Sequence, residues 1–182
     1  AVGTTYGDND LIYKTTVGGT QNLLDACKHN NIKKIVHLSS LAAVEMNNNG
    51  QVISETTCQP AIPNDIYAKS KLEAEKLALA FAKEQGLDLT ILRPTNIYGP
   101  YAPLFKVGAG KQAINSGVLL QEASANSPSN SVYIDNVISA ILHVLSSKPE
   151  QENNVFFIND DDPISYKDFY SYFTTSFSRP LK

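Results

Sequence analysis

The chain has 182 residues, 42% of them hydrophobic and 18% charged, with a formal net charge of -3 at pH 7. That balance is ordinary for a globular protein and gives no reason to expect nucleic acid or an anionic membrane surface as a partner. The two cysteines, Cys27 and Cys58, form no metal-ligand spacing and no disulfide framework. No apolar run approaches the ~18 residues needed to span a bilayer, and the start carries no basic-then-apolar signal pattern, so no membrane span and a cytoplasmic location are expected.

In chain order, Thr16 to His29 reads as a helix with Leu23, Leu24 and Cys27 on its buried face, stopped by the polar pair Asn30-Asn31. A strand rich in branched residues is expected over 32 to 38, running into Ser39-Ser40-Leu41-Ala42-Ala43-Val44. Met46 to Asp65, with Asn47-Asn48-Asn49-Gly50, Pro60 and Pro63, reads as a long loop that returns the chain toward Ser40. The run YAKSKLEAEKLALAFAKEQG, beginning at Tyr67, is an evident helix, and Gly86 supplies its stop. Leu87 to Leu92 forms the next strand, leading into Arg93-Pro94-Thr95-Asn96-Ile97-Tyr98-Gly99-Pro100. Strand, helix and strand in this order imply a right-handed parallel crossover.

Further on, Leu104 to Ser116 reads as a helix broken by Gly108 and Gly110, Gly117 to Leu120 as a strand and Ala123 to Ser131 as a polar loop, a part expected to face substrate. Asp135 then caps a helix running to about Ser147, with Val137, Ile138, Ile141, Leu142 and Leu145 at core-facing spacing. Val155 to Ile158 is a buried strand, and Ser165 with Asp168 forms a capping box for a last helix carrying Phe169, Tyr170, Tyr172, Phe173 and Phe177. That aromatic stripe reads as core, or as a surface covered by further chain, rather than as a cofactor box. No internal repeat is present.

Tyr67 and Lys71 lie four residues apart and so on one face of their helix. A free tyrosine titrates at roughly 10 and keeps its proton at neutral pH. An ammonium held beside a phenol favours the phenolate, which makes such a tyrosine a candidate proton donor or acceptor. By itself the pair is weak evidence, since this spacing recurs on solvated helices. The hydroxyls of Ser39 and Ser40 at the preceding strand's end supply the context that makes it chemical.

Five segments in register then carry a family resemblance: Val17-Gly18-Gly19-Thr20-Gln21-Asn22-Leu23-Leu24, His37-Leu38-Ser39-Ser40, Tyr67 to Lys71, Arg93 to Pro100, and Val132-Tyr133-Ile134-Asp135-Asn136-Val137. Together they resemble an extended short-chain dehydrogenase/reductase of the NAD-dependent epimerase/dehydratase family. The fold implied is α/β, a partial Rossmann-like doubly wound parallel sheet with a smaller C-terminal substrate-binding region. Residues 1–100 would form the C-terminal half of the NAD(P)-binding domain with its Ser-Tyr-Lys site, and 101–182 mostly the substrate region, with elements returning to the core. No G-x-x-G-x-x-G or G-x-G-x-x-G occurs, so the glycine turn that cradles a dinucleotide pyrophosphate is absent. An N-terminally truncated fragment is expected.

The resemblance also implies roles. Tyr67 would be the acid/base, Ser40 would hydrogen-bond the reacting oxygen, and Lys71 would favour the phenolate and hold the nicotinamide ribose. Adjacent strand residues face opposite ways, and members with the spacing Ser-Ser-x-x-x-Val use the second serine, leaving Ser39 as a cofactor-side or structural hydroxyl. Pro94, Thr95, Asn96 and Ile97, following the strand after the catalytic helix, would approach the nicotinamide. The cofactor is then NAD or NADP, undecided because the residue that reads the ribose 2' position would follow the missing second strand. Helices 16 to 29 and 67 to 85 resemble those that pair into a four-helix dimer interface, which implies a homodimer by analogy.

Asp135 reads as a cap rather than a catalytic acid, His37 as a core or interface histidine, and His29 and His143 lack metal-partner spacing, so no metal is assigned. Two positions depart from the family pattern: Thr16 stands where asparagine is common before Val17-Gly18-Gly19-Thr20, and Glu45 where a tyrosine is common. The leading expectation is hydride transfer at a hydroxyl or ketone of a small molecule. Alternatives are a nucleotide-sugar epimerase working by transient oxidation and, from another class, an inactive fragment or binding module. Dehydration is least expected, because Leu41-Ala42 offers no acidic pair beside the serine.

Overall fold

The computed structural model describes residues 8–45, 52–60, 66–102, 125–147, 155–162 and 164–176. The helix and strand expected over 104–116 and 117–120 lie outside these. The chain divides into two compact units, residues 1–94 with 139–158 and residues 95–138 with 159–182.

The first unit opens with α1 (Asn9–Tyr13), capped by Asp8, whose carboxylate accepts the amides of Asp10 and Leu11 at 2.7 and 3.3 Å. Helical chain therefore starts well before Thr16. It passes through a π turn (Lys14–Gly18) into α2 (Gly19–His29). Ile12, Thr16, Thr20 and Leu24, four residues apart each time, are all buried. Leu23, expected inside, is 62% exposed, and Cys27 is half-buried. Within α2, Leu23 stands about 100° around the axis from Leu24, so the face that packs is the narrower line of Thr20 and Leu24. Asn31 ends the helix at φ 56, the left-handed conformation that asparagine tolerates.

Strand β1 (Lys34–Leu38) pairs in parallel with β2 (Asp88–Pro94), and β2 pairs in parallel with β5 (Val155–Ile158), giving the order β1-β2-β5. As the central strand, β2 is covered on both faces: Leu89, Thr90, Ile91 and Leu92 are all buried, which is why it reads as a continuous apolar run. Strand β5, at the edge among the described strands, is less covered than expected, with Phe156 43% exposed. Between β1 and β2 runs α3 (Ile66–Gln85), stopped by Gly86 at φ 63. Leu24, Ala78, Ala82, Leu89 and Ile91 form the core under α3. Each fully buried leucine or isoleucine there contributes about 1.5–3 kcal/mol. The 52–60 segment returns beside Val44 through an antiparallel bridge from Val44 to Pro60.

In the second unit β3 (Asn96–Tyr98) pairs in parallel with β4 (Ser131–Tyr133). Chain continues from β4 directly into α4 (Ile134–Ser146), whose residues from Ser139 on are counted with the first unit, so Asp135 sits in the first turn rather than at the cap, where a carboxylate still suits the helix dipole. Of the five apolar residues on its expected core face, Val137 is buried, while Ile138, Leu142 and Leu145 are 46, 59 and 49% exposed. Periodicity reports an apolar stripe and is silent on what covers it. Helix α5 (Tyr166–Ser176) begins as expected: Ser165 Oγ receives the Asp168 amide at 3.1 Å and bonds the Asp168 carboxylate at 2.7 Å. Of its aromatic stripe, Phe169 is buried and Tyr172 is 69% exposed; the side chains of Tyr170 and Phe173, and all of Phe177, lie outside the described residues.

Candidate active site

The ends of β1 and β2 and the start of α3 meet in the first unit. Lys71, only 6% exposed, donates through Nζ to the carbonyl of Leu38 at 3.2 Å, and its nitrogen lies 5.9 Å from the centre of the Tyr67 ring. The helix face predicted to bear the tyrosine and lysine is thus fastened to the residue preceding Ser39 and Ser40. Burial pulls the Lys71 ammonium below the ordinary lysine range.

The two serines divide their work. Ser39 is buried and its hydroxyl donates to Glu75 Oε2 at 2.7 Å, while its amide donates to Leu92 at 2.8 Å. Ser40 turns the other way at φ -160 and caps a 3-10 turn (Leu41–Ala43), accepting the Ala42 amide at 3.2 Å. Its own proton remains available to a ligand oxygen. Pro94 is buried at the end of β2, opposite Ile158. In the second unit Thr95 precedes β3, where Asn96 is exposed and Ile97 half-buried, paired with Ser131 and Val132.

Beneath this surface lies a group that motif reading leaves out. Glu75 continues the Tyr67, Lys71 face by one more step of four, and is 3% exposed. Arg93 grips it with Nε at 3.1 Å on Oε2 and with Nη2 on Oε1, a bidentate pair, and reaches the Cys58 sulfur with Nη1 at 3.4 Å. Burial works against the charge of Arg93, and the Glu75 carboxylate more than offsets it, so the guanidinium is held above its usual range. Extending the four-residue step beyond Lys71 is the sequence signal that finds Glu75.

His37, on β1, has its Nε2 buried without a hydrogen-bond partner among the described residues. Burial first, and the nearby Lys71 charge second, lower its pKa to about 4. Thr16, at the position where the family pattern has asparagine, is 2% exposed and its hydroxyl oxygen accepts no bond among the described residues. No group of three or more His, Cys, Asp or Glu among the described residues is placed to hold a metal ion. No described helix is long and apolar enough to cross a membrane.

The second unit has its own polar centre. Asp160 accepts from the Tyr98 hydroxyl at 3.0 Å, from the Tyr133 amide at 3.2 Å and from Asn136 at 2.7 Å. Burial and then the Asp160 bond raise the Tyr98 phenol. Tyr98 stacks edge-on against Phe169 with centroids 5.2 Å apart, beside a hollow of about 310 Å³ lined by Ser129, Asn130 and Asp161 among others.

A parallel sheet with paired serines at one strand end and Tyr-x-x-x-Lys on the following helix defines a protein of the extended short-chain dehydrogenase/reductase type. The chain belongs to the 3-beta hydroxysteroid dehydrogenase/isomerase family, which it matches over residues 2–182. It is 30% identical to a 3 beta-hydroxysteroid dehydrogenase/Delta 5-->4-isomerase of Vaccinia virus (strain Ankara), over 91% of this chain and 51% of the relative. With the UDP-glucose 4-epimerase of Vibrio cholerae it shares 28% identity over 85% of this chain and 47% of the relative. The chain therefore spans about half the length of the curated relatives it matches. Among solved structures, UDP-glucuronic acid 4-epimerase from Bacillus cereus in complex with NAD superposes with a TM-score of 0.80 at 24% identity, over 100% of this chain and 58% of that one. RMD from Pseudomonas aeruginosa complexed with NADPH gives 0.78 at 22% identity, over 100% of this chain and 66% of that one. At such identities the structural likeness shows the fold alone.

Proposed function

We propose that the complete protein is an NAD(P)-dependent oxidoreductase acting on a secondary hydroxyl or ketone of a small molecule, with a steroid-like substrate the first class to test. The observation that carries the reading is the Lys71 side chain, fastened to the Leu38 carbonyl so that Tyr67 and the Ser39-Ser40 strand end share one place. A dinucleotide fits the chemistry present, since Lys71 spends one of its three donors on Leu38 and retains others for ribose hydroxyls. When bound, the nicotinamide supplies the hydride acceptor or donor. Tyr67 moves the proton on the reacting oxygen, and Ser40 donates a hydrogen bond to that oxygen as its charge develops. Pro94, Thr95, Asn96 and Ile97 are the further cofactor contacts in this reading, and Ser39 supports the strand end.

The test is turnover of the complete protein with NADH, NADPH and their oxidised forms against hydroxysteroids and nucleotide sugars. Tyr67→Phe should lower kcat about 10²–10⁴-fold while leaving the fold intact by circular dichroism; a variant turning over like the parent refutes the assignment. Resemblance to UDP-glucose 4-epimerase supports a second reading, transient oxidation without net redox. It predicts that a nucleotide sugar is interconverted with no accumulation of reduced cofactor.

A further inference from the structure

We infer that Arg93 is a positioning residue that sequesters the Glu75 carboxylate and so keeps Lys71 free of an ion-pair partner. This rests on the reading of Lys71 as a working lysine in the site proposed above. Tyr67, Lys71 and Glu75 recur at steps of four on one face of α3. Lys71 and Glu75 are 6 and 3% exposed. An ammonium and a carboxylate one helical turn apart, both out of water, attract strongly in the low dielectric there. Yet both oxygens of Glu75 are engaged elsewhere, Oε2 by Ser39 Oγ at 2.7 Å and Arg93 Nε at 3.1 Å, and Oε1 by Arg93 Nη2. Lys71 points instead to the Leu38 carbonyl and the Tyr67 ring.

The charges around Lys71 make the arrangement directional. Tyr67 and Glu75 lie on its own helix, His37 faces it from β1, Arg93 comes from β2, and Cys58 of the 52–60 segment stands behind Arg93. Tyr13 of α1 is occupied by Glu73 on α3. With His37 neutral at pH 7, this core holds two cations and one anion. Removing Arg93 alone leaves Glu75 to Lys71 and suppresses both the free ammonium donors and the positive field on Tyr67. Removing the charge of Glu75 alone leaves two uncompensated cations.

The test is lysine side-chain NMR on the complete protein with ¹³C-labelled lysine, the Lys71 resonance being assigned by its loss in Lys71→Arg. In the parent, Lys71 should lose its proton at lower pH than the exposed lysines. Arg93→Gln should move that midpoint up and Glu75→Gln should move it down, each by roughly one pH unit, and the double variant should return near the parent. Titration of parent Lys71 at or above the exposed lysines overturns the inference, as do single variants that shift alike or not at all. Should Arg93→Gln not fold, the parent midpoint and the sign in Glu75→Gln decide. The readout does not require turnover, so an inactive Tyr67→Phe or an active one judges the proposed function separately.

Discussion

Acid should weaken the first unit through His37, and His37→Phe should remove that weakness. The imidazole sits on β1 with Nε2 buried and unbonded among the described residues, and its pKa falls from 6.5 to about 4 on folding. The sign follows from proton counting: between those values the unfolded chain binds the proton and the folded chain does not, so stability drops as pH falls through 6.5 and stops dropping below about 4. At ~1.4 kcal/mol for each pH unit, the gap amounts to about 3 kcal/mol, an upper value because a half-buried ring keeps some solvent. Urea midpoints followed by far-ultraviolet circular dichroism between pH 7 and 4 measure it. Phenylalanine keeps a ring of similar shape and cannot titrate, so whatever constant offset it brings cancels from the slope. The expected result is a markedly flatter pH dependence in His37→Phe than in the parent. Equal slopes would refute the reasoning and assign the acid loss to carboxylates instead.

Three further substitutions test packing. Leu24→Ala should cost about 2–5 kcal/mol, since Leu24 is 3% exposed in the core, whereas Leu23→Ala, at 62% exposure, should stay within about 0.5 kcal/mol; a urea titration of the pair checks which face of α2 is packed. Gly99 has φ 134, and a Cβ there would stand 2.7 Å from Ile134 Cγ2 and 3.1 Å from Tyr133 Cε2. Gly99→Ala should therefore cost about 1–3 kcal/mol, read as faster hydrogen exchange at the β3 and β4 amides, and unchanged exchange would contradict the close approach.

The elements that sequence displays well are those whose signals are local. Branched residues over 32–38, the four-residue step from Tyr67 to Lys71, the stop at Gly86 and the Ser165-Asp168 cap each rest on neighbours along the chain, and each has its counterpart in the structure. What sequence hides depends on partners far away. Glu75 looks like one more charge on an Ala-rich helix until Arg93, eighteen residues on, and Ser39, thirty-six residues back, close on it. The apolar stripe of α4 and the place of Leu23 fail for the related reason that amphipathicity names a face without naming its neighbour. His37 is legible as a core or interface histidine; that its Nε2 finds no hydrogen-bond partner among the described residues is not, because that depends on what the fold places around it.

The π turn at Lys14–Gly18 has a consequence for the tolerance of this helix to changes in length. In a uniform α-helix each step of four residues overshoots a full turn by about 40°, so Leu24 would stand about 120° around the axis from Ile12. The wider turn absorbs much of that excess and lets Ile12, Thr16, Thr20 and Leu24 face the same way. The helix thus holds one residue more than a plain α path to the same packing would need. The wide turn is therefore where a change in length can be absorbed: losing a single residue between Lys14 and Gly18 would restore regular hydrogen bonding and leave Leu24 about 20° around the axis from Ile12, still facing its seat, whereas one residue more would turn that face by about 100°.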